Sequence, residues 1–213
     1  MTQRQDYIWY ASYGSNILEK RFLYYIQGGQ PVGATKKYLG CTDKSLPIDK
    51  EEIYINSELY FAKKSKTWDK GGVCFIKTNF DPQVQTLGRM YLITKQQFID
   101  VVKQETENEN NLTIDFERAI CDGSITFNDG SWYGNLIYLG TQNDFPIFTF
   151  TNQDNISETN KPSENYLRTI IRGIQETYNL STTEIVDYFI PKSGIKDNFS
   201  REQLTKIIEG GDK

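Results

Sequence analysis

The hydrophobic pattern starts with an aromatic-rich run, from Tyr7 to Tyr13, that stops abruptly at the sequence Gly-Ser-Asn. Such a run predicts a strand, because aromatic and β-branched residues favour an extended chain. A helical pattern begins directly behind the turn and ends at Gly28-Gly29. Its apolar positions recur at helical spacing: Leu18, Phe22 and Tyr25. Asn16 is predicted to cap this helix, with Glu19 completing the capping box.

Further along the chain, short apolar runs predict a series of strands. The segment "EEIYINSELYF", residues 51–61, alternates as a half-buried strand would. Shorter candidates follow at Gly72–Thr78, Gly88–Ile93, Thr113–Ala119, Trp132–Leu139 and Pro146–Thr151. Because many short strands are combined with few helices, the pattern predicts an α+β fold around a curled or closed sheet.

The last quarter of the chain is predicted to be helical. Ser163 can cap a helix whose apolar stripe has helical spacing: Tyr166, Ile170, Ile174 and Tyr178. Two capping boxes, one starting at Ser181 and one at Ser200, predict two short helices behind it.

Composition narrows the class of protein. A chain of 213 residues fits one domain, or one domain with an appendage. The net charge is −4 and no long block of Lys or Arg occurs, so nucleic acid is not an expected partner. Because the sequence shows neither a signal peptide nor an apolar run long enough to span a membrane, a soluble cytoplasmic protein without a membrane partner is expected.

The cysteines do not predict a disulfide framework or a metal site. They are three in number and widely spaced, at Cys41, Cys74 and Cys121. They are interpreted as reduced structural thiols.

The chain contains no histidine, and this limits the chemistry it can perform. Neither a Ser-His-Asp triad nor a Cys-His pair can form, and a zinc site of the usual histidine-rich kind is excluded. Proton transfer near neutral pH would therefore depend on a carboxylate, a lysine, a tyrosine or a thiol.

The Gly-Ser-Asn turn is the first candidate site. A strand that turns at Gly14 into a helix leaves the first backbone N–H groups of that helix unpaired, and an anion can accept hydrogen bonds from them. Ser15 and Asn16 add a hydroxyl and an amide, so the turn can hold a carboxylate or a carbonyl oxygen. The alternative is that Asn16 only caps the helix.

Glu105 is the second candidate. Thr94 and Gln97 predict a capping box, and the helix that follows has an apolar stripe formed by Phe98, Val101 and Val102. Glu105 is the next position on that face, at the edge of the core, where desolvation would favour proton exchange near neutrality. The alternative is that the helix frays and Glu105 reaches water. Glu107 and Glu109 fall in a polar tail.

These segments together resemble the gamma-glutamylcyclotransferase-like family. The first strand and turn are similar to its Tyr-Phe-Ala-Tyr-Gly-Ser-Asn signature over Tyr10, Ala11, Ser12, Tyr13, Gly14, Ser15 and Asn16. "TWDKGGVCFI", residues 67–76, is similar to its Trp-x-Gly-Gly-x-Ala stretch, and the family's helical Glu falls on Glu105. A later Pro-Ser-x-x-Tyr motif resembles Pro162, Ser163, Tyr166, Ile170 and Gly173. Four segments occur in the family's order.

The resemblance implies a fold and a reaction. The fold would be a small β-barrel flanked by helices in residues 1–178, with residues 179–213 as a helical extension packed on it. The reaction would be cyclisation of a small-molecule gamma-glutamyl amine, peptide or metabolite to 5-oxoproline with release of the amine, by a transferase or lyase without metal or cofactor. Glu105 would be the catalytic proton shuttle, and the substrate would be bound by Tyr13, Gly14, Ser15, Asn16 and Tyr166.

Two points stay open at the level of sequence. The first is whether the domain is an enzyme or a catalytically silent module that recognises an acidic small molecule or peptide in the same cavity. The second is the oligomeric state, for which a homodimer is one option.

Overall fold

The computed structural model describes residues 6–31, 37–106 and 112–210. Strands and helices alternate irregularly along these ranges, as expected for an α+β fold. The strands are β1 Tyr7–Ser12, β2 Asp49–Ile55, β3 Leu59–Ala62, β4 Val73–Ile76, β5 Thr86–Thr94, β6 Ser124–Thr126, β7 Asn135–Gln142 and β8 Phe145–Thr151. The helices are α1 Glu19–Gln27, α2 Lys95–Thr106, α3 Phe116–Asp122, α4 Glu164–Thr177, α5 Thr182–Phe189 and α6 Arg201–Glu209.

Six strands form one sheet in the order β2-β5-β1-β8-β7-β6. The first strand, β1, lies near its centre, antiparallel to β5 and parallel to β8. The expected barrel is not confirmed, because in the described ranges β2 and β6 are the two edges of an open sheet. The remaining strands, β3 and β4, form a separate two-stranded sheet, which is joined to β8 by hydrogen bonds between Thr151 and Ile76.

Two predictions about strands were wrong. Residues 113–119 were predicted as a strand, but α3 begins at Phe116, because the Asp115 side chain accepts a hydrogen bond from the backbone N–H of Arg118 and caps it. The predicted strand over residues 51–61 is divided into β2 and β3. It breaks at Ser57, which is fully buried and whose hydroxyl donates to the Lys77 carbonyl oxygen.

Both faces of the six-stranded sheet are covered, and β1 shows how its side chains divide between them. Trp9 and Ala11 belong to a core shared with α4, α5 and α6, whereas Ile8 and Tyr10 belong to a core shared with α1, α2 and α3. Successive residues of a strand point to opposite faces, so this run can be apolar throughout. The strand prediction for Tyr7–Tyr13 is confirmed to within one residue.

The predicted helical caps in the second half of the chain are confirmed. Ser163 caps α4, and the boxes at Ser181 and Ser200 are both complete. The apolar sides of α5 and α6 lie in the same core as that of α4. None of the helices in the described residues is long and apolar enough to cross a membrane.

Candidate active site

The turn after β1 differs from its predicted form. Asn16 does not cap α1; Ser15–Ile17 form a short 3-10 helix and Leu18 is the N-cap residue, without a side-chain cap. The backbone closes on itself, since Ile17 N donates to Gly14 O at 3.1 Å and Leu18 N to Ser15 O at 3.2 Å. The Asn16 side chain is therefore free to extend in another direction.

The carbonyl groups of this turn are held by β5. The Tyr91 hydroxyl lies 2.9 Å from Asn16 O, and Arg89 Nη1 donates to Ile17 O at 3.1 Å. On another side α4 packs directly on the turn at Gly173, where a Cβ would lie 2.4 Å from Leu18 N. The turn is thus fixed from two elements that are distant in sequence.

Glu105 is brought to this turn by α2. The helix starts with the predicted capping box, in which Gln97 N donates to Thr94 Oγ1 at 3.0 Å and Thr94 N to Gln97 Oε1 at 3.0 Å. Three side chains of its apolar face are fully buried: Phe98, Val101 and Val102. One turn further on, Glu105 is half-buried and its Oε1 accepts a hydrogen bond of 3.0 Å from Asn16 Nδ2. Glu107 and Glu109 lie outside the described residues.

The turn and Glu105 line one cavity of about 730 Å³. All six residues singled out from the sequence contribute to its wall: Tyr13, Gly14, Ser15, Asn16, Glu105 and Tyr166. Residues 64–68 and 128–133 also line it, together with single residues of other elements. The cavity volume is in the range of small-molecule sites.

Three buried tyrosines of the cavity, Tyr13, Tyr25 and Tyr166, keep their phenol protons. The Tyr13 hydroxyl donates to Phe150 O at 2.8 Å, and the Tyr166 hydroxyl accepts from Cys74 N at 3.1 Å. Burial raises the pKa of both hydroxyls well above the usual value. Burial, and after it the Glu105 carboxylate, also raise the pKa of Tyr25. Among the described residues, Glu105 therefore has protonated phenols as neighbours.

Gly14 allows a close approach at this point. A Cβ on Gly14 would lie 3.3 Å from the Tyr166 hydroxyl, tighter than most real contacts. The glycine thus lets the first turn and α4 share the same wall of the cavity.

Gly71 and Gly72 let the segment that carries Trp68 pack closely on the chain before α4. A Cβ on Gly71 would lie 2.4 Å from Ser163 N, and one on Gly72 would lie 2.3 Å from Asn160 O. Only glycine lets this segment run against residues 160–163. The contact places the Trp68 ring 4.8 Å from the Tyr166 ring, centroid to centroid.

Arg21 is a residue of the cavity that was not predicted from the sequence. Its guanidinium carbon lies 5.5 Å from the ring centroid of Tyr25, 4.8 Å from that of Tyr38 and 5.3 Å from that of Trp68. The spacing of Arg21 and Tyr25 on one helix face was visible in the sequence. The other two rings come from distant segments, so nothing local pointed to them.

Two buried polar atoms in this cavity have no hydrogen-bond partner among the described residues. They are the acceptor Asn16 Oδ1 and the donor Arg21 Nε. Buried polar atoms are normally paired, so an unpaired one in a cavity wall is suited to bind a ligand. The cavity thus offers one free acceptor and one free donor.

A resident metal is not indicated by the part of the chain that the structure describes. It contains no group of three or more His, Cys, Asp or Glu side chains that could hold a metal ion. The candidate site is instead a carboxylate, a guanidinium, an amide and several phenols.

Comparison with known proteins gives one sequence relative and several structures. No family model matches the chain. It is 37% identical over 201 residues to histone deacetylase 5 of Arabidopsis thaliana, a match that covers 85% of this chain but 30% of that protein. The chain therefore spans less than a third of the curated relative that it matches.

Among solved structures, a gamma-glutamyl cyclotransferase has a TM-score of 0.48 and 17% identity, with 97% of this chain and 100% of that chain covered. An uncharacterized protein from Homo sapiens has a TM-score of 0.49 and 17% identity, with 96% and 99% covered. Gamma-glutamyl cyclotransferases, which the motifs resemble, are thus among the solved structures to which this chain is similar.

Proposed function

We propose that this chain is a gamma-glutamylcyclotransferase-like enzyme that converts a gamma-glutamyl amine, peptide or metabolite into 5-oxoproline and a free amine. The observation that carries the proposal is the pairing of Asn16 with Glu105 in the cavity. It combines a carboxylate, held at 3.0 Å by Asn16 Nδ2, with a buried acceptor, Asn16 Oδ1, that has no partner in the described residues. These two acceptors suit the hydrogens of a substrate ammonium group.

The reaction needs one proton shuttle. The α-ammonium of the substrate gives a proton to Glu105, and the resulting amine attacks the carbonyl carbon of its own γ-amide. A new C–N bond closes the five-membered ring, and Glu105 passes its proton to the nitrogen of the old amide as that C–N bond breaks. The second proton that the ring nitrogen loses on becoming the lactam N–H passes by way of Glu105 to the released amine, which leaves as an ammonium ion. Protons and electrons balance, and the carboxylate ends the cycle as it began.

Stabilisation of the developing oxyanion is assigned to the turn. The backbone N–H groups of Gly14, Ser15 and Asn16 have no acceptor among the described residues, while the carbonyls of Asn16 and Ile17 are occupied by β5. The N–H groups are therefore available to the γ-carbonyl oxygen. Donors of this kind, fixed before the reaction, typically lower the barrier by several kcal/mol, on the order of 3 for one donor.

The remaining task of the cavity is orientation. Nucleophile and carbonyl belong to one molecule, so binding in a folded conformation removes most of the entropy cost of their encounter. The aromatic walls formed by Trp68, Tyr133 and Tyr166 would hold the chain of the substrate in that conformation.

The test is release of 5-oxoproline from a panel of gamma-glutamyl compounds, scored by mass spectrometry. Glu105→Gln keeps the size of the side chain and its ability to accept from Asn16 Nδ2, but removes the base. We expect kcat to fall by about 100-fold or more with the melting temperature little changed. The matched control is Glu117→Gln, which removes a carboxylate that is 80% exposed, on α3.

Two results would contradict the proposal. Undiminished release by Glu105→Gln would exclude Glu105 as the shuttle. No release by the wild type on a broad panel, together with binding of 5-oxoproline, would identify the domain as a silent recognition module.

A further inference from the structure

The guanidinium of Arg21 is enclosed on several sides, and none of the ion pairs within the described residues includes it. The rings of Tyr25, Tyr38 and Trp68 all lie within 5.5 Å of its central carbon. Nε is buried and has no acceptor in the described residues, although the guanidinium is also hydrogen-bonded to the Tyr38 side chain. A cation held in this way stacks well on aromatic faces, while its Nε–H donor is left for another molecule.

Arg21 keeps its charge in this position. Burial alone would lower its pKa, but Tyr25, Tyr38 and Glu105 raise it, and the net shift is upward. The cavity therefore contains a permanent cation and, at Glu105, a carboxylate on the same wall as Asn16.

These groups match the two charges of an α-amino acid. Such a compound has an ammonium and a carboxylate on one carbon atom. A site that binds it must therefore place an acceptor for the ammonium and a donor for the carboxylate only a few ångströms apart. Asn16 Oδ1 and Glu105 are acceptors for the ammonium, and Arg21 supplies donors for the carboxylate.

We propose that Arg21 is the specificity-determining residue that binds the α-carboxylate of the gamma-glutamyl group. This inference rests on the proposed function, in which the α-amine is bound at Glu105. It assigns the turn N–H groups to the γ-carbonyl oxygen and the α-carboxylate to a different element, α1. A free α-carboxylate is then what distinguishes good substrates, and α-amides, α-esters and decarboxylated analogues are poor substrates with a high KM.

The decisive comparison uses two compounds that undergo the same ring closure. One is a gamma-glutamyl amide, which gives 5-oxoproline. The other is the corresponding 4-aminobutyryl amide, which lacks the α-carboxylate and gives 2-pyrrolidinone. Arg21→Gln should raise KM for the first compound by about 10- to 100-fold, the loss expected for a charge-assisted hydrogen bond, with a smaller effect on kcat. It should leave kcat/KM for the second compound nearly unchanged.

Two further variants separate binding from structure. Arg21→Lys keeps the charge without the planar fork and should lie between the wild type and Arg21→Gln. Lys20→Gln removes the same charge from the neighbouring exposed position of α1 and should behave as the wild type. A general loss of structure in Arg21→Gln would lower kcat/KM equally for both compounds, and that result would overturn the inference.

Binding of the product, 5-oxoproline, to the protein tests the inference independently of turnover. Calorimetry with the wild type should detect binding of 5-oxoproline. The affinity for 2-pyrrolidinone should be at least about 10-fold weaker. If Arg21→Gln binds 5-oxoproline as the wild type does, or the wild type does not prefer it, the inference is wrong even if the enzyme is active. If the preference depends on Arg21 but no compound turns over, the inference stands and the proposed enzymatic function fails.

Discussion

Replacement of Gly173 by alanine tests whether the turn after β1 is held as rigidly as its contacts indicate. Gly173 lies in the middle of α4, where alanine would normally be the better residue by about 1 kcal/mol. Here the added Cβ would lie 2.4 Å from Leu18 N, 2.6 Å from Ile17 C and 2.8 Å from Ile17 Cγ2. Two of these three are backbone atoms, so rotation of a side chain cannot relieve the contact.

The size of the effect follows from the displacement that is needed. Ordinary contact would require α4 and the turn to separate by about 1 Å. The turn cannot retreat freely, because Tyr91 and Arg89 bind its carbonyl oxygens from β5. Overpacking of this kind costs about 1–3 kcal/mol, and each hydrogen bond that breaks adds about 1 kcal/mol. After subtraction of the helix-propensity gain, we expect Gly173→Ala to lower the free energy of unfolding by about 1–3 kcal/mol.

The assay is thermal unfolding together with turnover. For a chain of this size the expected loss corresponds to a melting temperature lower by roughly 2–12 °C. Gln175→Ala, at an exposed position of the same helix, is the control and should not destabilise the protein. A Gly173→Ala protein that is as stable as the wild type, or more stable, would refute the argument, since it would show that α4 and the turn can move apart at no cost.

Two other predictions concern ionisable core groups. Burial raises the pKa of Cys41 and Cys74 to about 12, whereas Cys121 is exposed. At pH 8 a thiol reagent should therefore modify Cys121 of the native protein rapidly and the other two cysteines only after unfolding. Equal rates of modification for all three would contradict this prediction. Burial likewise raises the pKa of Tyr60 and Tyr178 to about 12, above the value of about 10 in unfolded chains. Because the folded state binds these protons more tightly, their contribution to the free energy of unfolding should be fully present below about pH 9 and lost as the pH rises towards 12. Urea unfolding over that pH range measures it. A free energy of unfolding that stays constant to pH 12 would contradict the prediction.

Local patterns predicted the elements that carry the candidate site. The strand before Gly14, the capping box at Thr94 and the cap at Ser163 all depend on residues within a few positions of one another. The same is true of the α2 face that ends at Glu105. These features could be predicted because neighbouring residues alone determine them.

Features that depend on distant residues were missed. Asn16 was expected to cap α1, but its side chain has a partner 89 positions away, Glu105, and the backbone closes a 3-10 turn instead. The aromatic surroundings of Arg21 come from three segments, and only Tyr25 lies on its own helix. A curled or closed sheet was also expected, but strand order is a property of the whole chain, and in the described residues β2 and β6 are not paired with each other.

The positions of the three tryptophans have a spectroscopic consequence. Trp68 and Trp132 line the cavity, whereas Trp9 is 1% exposed in the core. Two of the three indoles therefore respond to whatever enters the cavity, and Trp68 does so beside a guanidinium, 5.3 Å away, that a bound anion would partly neutralise. The intrinsic fluorescence of this protein thus combines a buried, constant emitter with two that are placed to report occupancy of the cavity, without any added label.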